Sequence, residues 1–323
     1  MRSEGIVRLA VRLFWILGTM LATGAMPAQA YPTKPIRIVT ASAGGGTDFV
    51  SRLIAQGLTE SLKQPVIVDN RGGNVAIAAE VVAKAPPDGH TLLLYAATLW
   101  VAPLLGAAPY DPVRDFAPIT LATAAPNMLV VHPSLPVKSV GELIALAKAR
   151  PGALNYGGST VGSSTHLAVE LFKAMAGIDI VRVPYKGQGP MFAALIAGEI
   201  QLTITSGAAL LPHVKSGRMR ALGVTSARPS AMFPGLPTIA ATVPGYESLT
   251  VFAVFAPAAT APAIVDQLQQ EIARVLNQPD VKAKCFAAGN EVVSSSPREL
   301  SSAIKTDMAR MGKLIKEAGI RAE

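Results

Sequence analysis

Two short segments of the chain combine glycines with hydroxyl side chains where a strand gives way to a helix. The first is Ser42-Ala43-Gly44-Gly45-Gly46-Thr47-Asp48, and the second runs over 157–166. A helix leaves its first backbone amides unpaired and carries partial positive charge at that end. Glycines let an anion approach those amides closely. The pair of segments therefore predicts two sites for the carboxylates of a small acid, although each alone also fits an ordinary capped βα turn.

Side chains in the two segments supply caps and further hydrogen-bond donors. Thr47 or Asp48 is expected to cap the first helix, and Ser163 or Ser164 the second. Hydroxyl donors are added by Ser42, Ser159 and Thr160. His166, just inside the second helix, is placed to touch a ligand, and a hydrogen-bonded structural role would explain it equally well.

Other chemistries are disfavoured by the same residues. Phe49 stands where the dinucleotide fingerprint requires Gly or Ala, and no phosphate-binding P-loop occurs. Ser159 lies in a segment that misses the G-x-S-x-G pattern of hydrolases at its last position. The four histidines show no metal-binding spacing. Basic residues are scattered and aromatics make up 5% of the chain. We therefore expect no cofactor, no metal, no catalytic residue and no nucleic-acid partner.

Strand-like and helix-like segments alternate along the chain, which predicts parallel sheets with helices on both faces. Prolines 112, 118 and 126 are expected to break this pattern before a strand at 128–131. The last quarter reads as helices with core-facing apolar stripes, and Cys285 as buried packing. The predicted strands are 35–40, 65–69, 90–95, 128–131, 154–158, 181–185, 201–206 and 220–225; the predicted helices include 47–63, 76–84, 167–176 and 190–198.

The N-terminus has the features of an export signal. Three arginines precede or border an apolar run, and Ala28-Gln29-Ala30 supplies a small-x-small cleavage site. Residues 1–30 are therefore expected to be removed after Ala30. The formal charge of +8 suits an anionic ligand or simply solubility.

Motifs along nearly the whole chain resemble one family, the Bug/TctC periplasmic solute-binding proteins of tripartite tricarboxylate transporters. The resemblance extends in order from Tyr31 to about Gly319. It rests on the segments 31–37, 44–48, 87–89, 110–112, 154–156, 163–167, 183–187, 236–238, 244–246 and 255–257.

The resemblance implies a type II periplasmic-binding-protein fold, with two α/β lobes joined by crossing hinge strands and the ligand cleft between them. The lobe limits expected from it are 31–127 and 250–323 for lobe 1 and 128–249 for lobe 2. It implies a small carboxylate ligand, di- or tricarboxylic or aromatic. The residues expected to contact ligand are Ser42, Ala43, Gly44, Gly45, Thr47, Asp48, Gly158, Ser159, Ser163, Ser164, His166 and Thr205.

Two departures from the family pattern bear on the ligand. Thr40 and Ala41 replace the usual proline and aromatic before the glycines, and Thr205 stands where the family usually has a carboxylate. The smaller side chain at 41 widens the pocket, and Thr205 removes a partner for an ammonium group. Both changes favour a larger or non-amino carboxylate, such as an aromatic acid, over an acidic amino acid.

The sequence thus predicts a monomeric periplasmic protein that is not an enzyme and delivers a carboxylate to membrane permease subunits. Two alternatives stay open: a ligand-binding protein of a periplasmic sensing system, and a periplasmic enzyme that acts on a carboxylate.

Overall fold

A computed structural model describes residues 31–72, 75–106, 108–158 and 163–320. Residues from Lys34 onward form one compact unit, to which all elements below belong. Its strands are β1 Ile36–Thr40, β2 Val66–Asn70, β3 Thr91–Ala96, β4 Phe116–Val131, β5 Asn155–Gly158, β6 Val181–Pro184, β7 Leu202–Ser206, β8 Arg220–Val224, β9 Leu249–Pro257 and β10 Glu291–Val292.

The helices alternate with these strands through most of the chain and follow one another near its end. They are α1 Gly46–Leu62, α2 Val75–Ala83, α3 Thr98–Leu105, α4 Val140–Ala149, α5 Ser164–Ala176, α6 Gln188–Ala197, α7 Gly207–Lys215, α8 Pro262–Leu276, α9 Pro279–Ala287 and α10 Pro297–Glu317. A short 3-10 turn spans Ile239–Ala241.

Strand β4 divides the sheet into two halves that we call lobe 1 and lobe 2. In lobe 1 the strand order is β2-β1-β3-β9-β4, and in lobe 2 it is β4-β7-β5-β6. As far as Pro126, β4 pairs with β9. From Asn127 onward it pairs with β7 on one side, and from Met128 with β8 on the other. One sixteen-residue strand therefore passes from one lobe into the other.

The chain returns to lobe 1 beside the point where it left. The amide of Thr225, just after β8, donates to the carbonyl of Asn127, and the amide of Ser248 donates to the carbonyl of Thr225. Leu249 then pairs with Pro126 as β9 begins. The two connections between the lobes lie side by side, which is the crossing-strand arrangement that the family resemblance implies.

Burial explains the layering. Leu92, Leu93 and Leu94 of β3 are fully buried, as expected of a strand covered on both faces. Helix α8 buries Leu268, Ile272 and Val275 at helical spacing.

The elements depart from the sequence-based expectations in three ways. The sheet is mixed rather than parallel, because β9 and β4 run antiparallel to their neighbours. The strand expected at 128–131 is only the end of β4, which contains Pro118 and Pro126. The register shifts between Pro118 and Thr120, and such an irregularity tolerates a residue without an N–H. Helices α3 and α7 and strands β9 and β10 were not predicted. Cys285 is buried in α9, as expected, and burial raises the pKa of its thiol.

Across the described ranges, no helix combines the length and the apolar character that a bilayer span requires.

Candidate functional site

The first glycine segment connects β1 to α1 and lies open to solvent. Ser42 to Gly46 are exposed, and the helix begins at Gly46 with Gly45 in an extended conformation as its N-cap. No side chain caps this end, so the prediction that Thr47 or Asp48 is the N-cap is wrong. Both lie inside the first turn because the helix starts before them. The first-turn amides lack intrahelical acceptors and are available to an anion.

Asp48 points back toward this loop rather than into open space. Its side chain is buried, and one carboxylate oxygen accepts the Gly44 amide at 2.9 Å. The Nε of Arg52 donates to the same oxygen at 3.0 Å, and the Nδ2 of Asn70 donates to the other at 2.9 Å. Burial alone would raise the pKa of Asp48, but these hydrogen bonds together hold it below its usual value. The carboxylate is therefore charged at neutral pH.

Two close approaches fix the loop against its surroundings. A Cβ added to Gly72 would lie 2.8 Å from the hydroxyl of Ser42, so the chain after β2 borders the loop. A Cβ on Gly46 would lie 2.7 Å from the Phe252 ring. Glycine is needed at position 46 because the buried Phe252 ring occupies the space of a side chain, whereas the exposed Ser42 hydroxyl beside Gly72 can rotate away.

The second segment connects β5 to α5. Ser159 and the next three residues lie outside the described residues. Ser163 is the N-cap of α5, and its hydroxyl accepts the amide of His166 at 3.3 Å, as predicted. The hydroxyl of Ser164 lies 3.4 Å from that of Thr250 in β9. His166 is buried, with 4% of its surface exposed.

A basic side chain lies beside this second segment. A Cβ on Gly158 would lie 3.0 Å from the Nε of Arg182, so the guanidinium chain packs against the glycine at the end of β5. Thr205 is buried near the end of β7, where its hydroxyl accepts a hydrogen bond from the side-chain amide nitrogen Nε2 of Gln188 at 2.9 Å.

The two segments converge on strand β9. The Phe252 ring contacts Gly46 at the start of α1, and the Thr250 hydroxyl contacts Ser164 at the start of α5. Residues two apart on a strand share one face and lie about 7 Å apart. The N-terminal ends of two helices, one from each lobe, therefore meet along one face of β9.

Sequence reasoning missed four residues of this arrangement: Arg52, Asn70, Thr250 and Phe252. Thr250 and Phe252 carry no local signal, because they lie in an apolar strand that resembles any core strand. For Asn70 a signal exists, since β1 and β2 are predicted parallel strands whose carboxyl ends meet at one sheet edge.

Within the described ranges, His, Cys, Asp and Glu side chains form no cluster of three or more suited to a metal ion.

Two crossing strands between α/β lobes, with helix N-termini converging from both, define a two-lobed binding protein of the type II periplasmic fold. A model of the tripartite tricarboxylate transporter family receptor, TctC, matches residues 50–320. The chain belongs to this family of solute-binding receptors, as the sequence motifs predicted.

Individual relatives agree with this assignment. The chain is 35% identical to protein BugT of Bordetella pertussis, with 96% of this chain and 98% of BugT covered. The structure of R. palustris Rpa4515 with adipate is 40% identical, with a TM-score of 0.77 over 91% of this chain and 100% of that one. MatC from Rhodopseudomonas palustris with bound malate is 27% identical, with a TM-score of 0.71 over 88% of this chain and all of that one.

Proposed function

We propose that the protein captures a small dicarboxylate between its lobes in the periplasm and delivers it unchanged to membrane permease subunits. The observation that carries this proposal is the convergence of two helix N-termini on β9. Each helix start offers its partial positive charge to one carboxylate, and the first turn of α1 adds amides without intrahelical acceptors. A diacid can contact both lobes at once. It therefore binds the closed arrangement more tightly than the open one, and that difference in affinity favours closure.

The contacts proposed are the residues that surround these helix ends. Ser42, Ala43, Gly45 and Thr47 belong to the first, and Ser163 and Ser164 to the second, with Gly158 at the end of β5. Ser159 lies outside the described residues and stays a contact predicted from the sequence. Gly44 and Asp48 hydrogen bond to each other, so the side chain of Asp48 is proposed to shape the loop. His166 and Thr205 are proposed to support the second lobe's wall, because both are buried.

A non-amino diacid fits this site better than an acidic amino acid. Thr205 is already hydrogen bonded to Gln188 and offers no carboxylate to an ammonium group. Relatives with bound adipate and malate point the same way.

Export and lobe limits complete the proposal. Cleavage after Ala30 would release the mature chain into the periplasm as a monomer. The limits 31–127, 128–249 and 250–323 are supported by the change of partners along β4 at Asn127 and by the start of β9 at Leu249.

The test is calorimetry on the mature chain, purified without refolding, with adipate, malate, hexanoate and aspartate as ligands. Saturable one-to-one binding of a diacid, with hexanoate and aspartate much weaker, is expected. Mass spectrometry of the recovered acid should show no chemical change. A turnover product, or no binding to either diacid, would contradict the proposal.

Two N-cap variants provide a matched pair for the same assay. Ser163→Ala and Ser139→Ala each remove a serine that accepts an amide at a helix start, in α5 and α4 respectively. Each should cost about 1 kcal/mol of stability. Only Ser163→Ala should weaken the diacid, because α4 starts outside the proposed site.

A further inference from the structure

We propose that Asn70 and Arg52 position the first carboxylate-binding loop, acting through Asp48, and that Arg52 cancels the charge of Asp48 so that an anion can bind there. The inference takes its ligand from the proposed function, but the positioning role of Asn70 and Arg52 can be measured without a ligand. Neither Asn70 nor Arg52 belongs to the two glycine segments.

The first step of the argument is that one amide group holds two parts of the loop together. The Nδ2 of Asn70 donates to the carbonyl of Ala41 at 3.0 Å and to the carboxylate of Asp48 at 2.9 Å. Ala41 precedes the glycines and Asp48 follows them. The Asn70 side chain, at the end of β2, therefore fixes both ends of the loop to the neighbouring strand.

The second step is that Asp48 fixes the middle of the loop. Its carboxylate accepts the amide of Gly44, which has a positive φ of 80°. That hydrogen bond engages the Gly44 amide with Asp48 and so removes it from the donors offered to a ligand. The amides left for a carboxylate are then those of the following first turn, which point along the α1 axis.

The third step concerns charge. A buried carboxylate within the first turn would repel an anionic ligand. The Arg52 guanidinium donates through Nε to Asp48 at 3.0 Å and through Nη2 to the Asn70 side-chain carbonyl at 3.2 Å. Arg52 lies one turn after Asp48 on α1, so its positive charge offsets that of the carboxylate without covering the exposed loop glycines.

The three side chains hydrogen bond to one another: Asn70 and Arg52 both donate to Asp48, and Arg52 also donates to Asn70. Asp48 and Asn70 in turn hydrogen bond to the backbone of the loop. Asn70 and Arg52 are positioning residues, because their contacts are to the loop and to each other.

The structural half is tested by hydrogen exchange on the ligand-free mature protein. Asn70→Ala should speed exchange of the Gly44 amide, which donates to Asp48, by about tenfold or more, because Asp48 and the Ala41 carbonyl lose the donor that holds them in place. The control is Arg114→Gln, in which an exposed arginine paired with Asp115 loses its charge. Unchanged exchange in Asn70→Ala, with the same melting temperature as the wild type, would overturn the positioning role whatever the ligand.

The electrostatic half is tested by binding of adipate to Arg52→Gln, Arg52→Lys and Arg114→Gln. Arg52→Gln should weaken adipate by about three- to tenfold, with a smaller loss at high salt. Arg52→Lys keeps the charge and should recover most of the affinity, and the loss in Arg52→Gln should shrink at high salt, which a loss of packing alone would not do. Arg114→Gln should bind as the wild type does.

The outcomes separate the two proposals. If the wild type binds no diacid, the proposed function fails while the exchange result still decides the positioning role. If the wild type binds adipate and Arg52→Gln binds it equally well at low salt, the charge-cancelling role of Arg52 is wrong.

Discussion

Adjacent glycines at the start of α1 have different surroundings. Gly45 has a φ of −85°, and a Cβ on it would meet only the Ser42 carbonyl at 3.6 Å, an ordinary contact. A Cβ on Gly46 would meet two atoms of the Phe252 ring at 2.7 and 3.0 Å. The ring is buried in β9, so it has little room to withdraw. The glycine at 46 is therefore required by packing, whereas the one at 45 is not.

We predict that Gly46→Ala lowers the free energy of unfolding by about 1–3 kcal/mol, because the new methyl group overpacks the contact with Phe252. Gly45→Ala is the matched control and should change it by less than about 0.5 kcal/mol. Urea unfolding measures both. Equal losses in the two variants, or no loss in Gly46→Ala, would contradict this account of the helix start.

At the level of residues, the sequence predicted the loops better than their supports. Ser163 was predicted as a cap because hydroxyl residues before an apolar helix have a local signature. The hydrogen bonds of Asp48 to Asn70 were not, since they depend on the register of β1 with β2, which places Thr40 opposite Asn70. The sequence pattern indicates that β1 and β2 end at one sheet edge, but it does not give the residue-by-residue register that brings Asn70 to Asp48.

Helix α10 carries the most complete end structure of the described helices. The Ser296 hydroxyl accepts the amide of Glu299, and the Glu299 carboxylate accepts the amide of Ser296. Pro297 follows as the first helical residue. This reciprocal capping box defines where the long C-terminal helix begins.

Ser296→Ala should cost about 1 kcal/mol in the free energy of unfolding, because the Glu299 amide loses its acceptor and the Glu299 carboxylate loses the Ser296 hydroxyl. Ser302→Ala, in the exposed middle of the same helix, should be neutral or slightly stabilising, since alanine has the higher helix propensity. Thermal unfolding compares the two. A loss in Ser302→Ala as large as that in Ser296→Ala would argue against capping as the cause.

At the level of elements, the alternation of strand-like and helix-like segments, together with the capping residues, predicted most helices and strands. The expectation drawn from the prolines was wrong. The prolines were expected to break the alternating pattern before residue 128. Instead, Pro118 and Pro126 both lie within β4, the first at a register shift and the second at the last residue pair with β9. Both positions tolerate a missing N–H. Helix α7 escaped prediction because Pro212 lies within it.

The lobes also touch away from the helix ends that converge on β9. Gly289, in the turn before β10, lies so near α7 that an added Cβ would be 2.3 Å from the Cβ of Ala208. Glu291 lies two residues after Gly289, and its carboxylate accepts a hydrogen bond from the Ser230 hydroxyl at 2.9 Å. These contacts join lobe 1 to lobe 2 in the arrangement described here.

Gly289→Ala should therefore disfavour this arrangement of the lobes. Its control is Gly235→Ala, which has nearly the same positive φ but no atom near the new Cβ. Both variants carry the backbone strain of about 1 kcal/mol, but only Gly289→Ala should shift the radius of gyration measured by small-angle scattering. Matching scattering curves for Gly289→Ala and Gly235→Ala would show that the turn does not set the arrangement.

The path of the chain through the two lobes has a consequence for the order in which they are completed. Strand β9 lies between β3 and β4, so the sheet of lobe 1 stays open until the segment from Leu249 onward has been made. Lobe 2, in contrast, has all of its strands once β8 has been made. Because the chain is made from its N-terminus, lobe 2, in the middle of the sequence, is the first lobe that can complete its sheet. The lobe that begins the sequence is the last to finish.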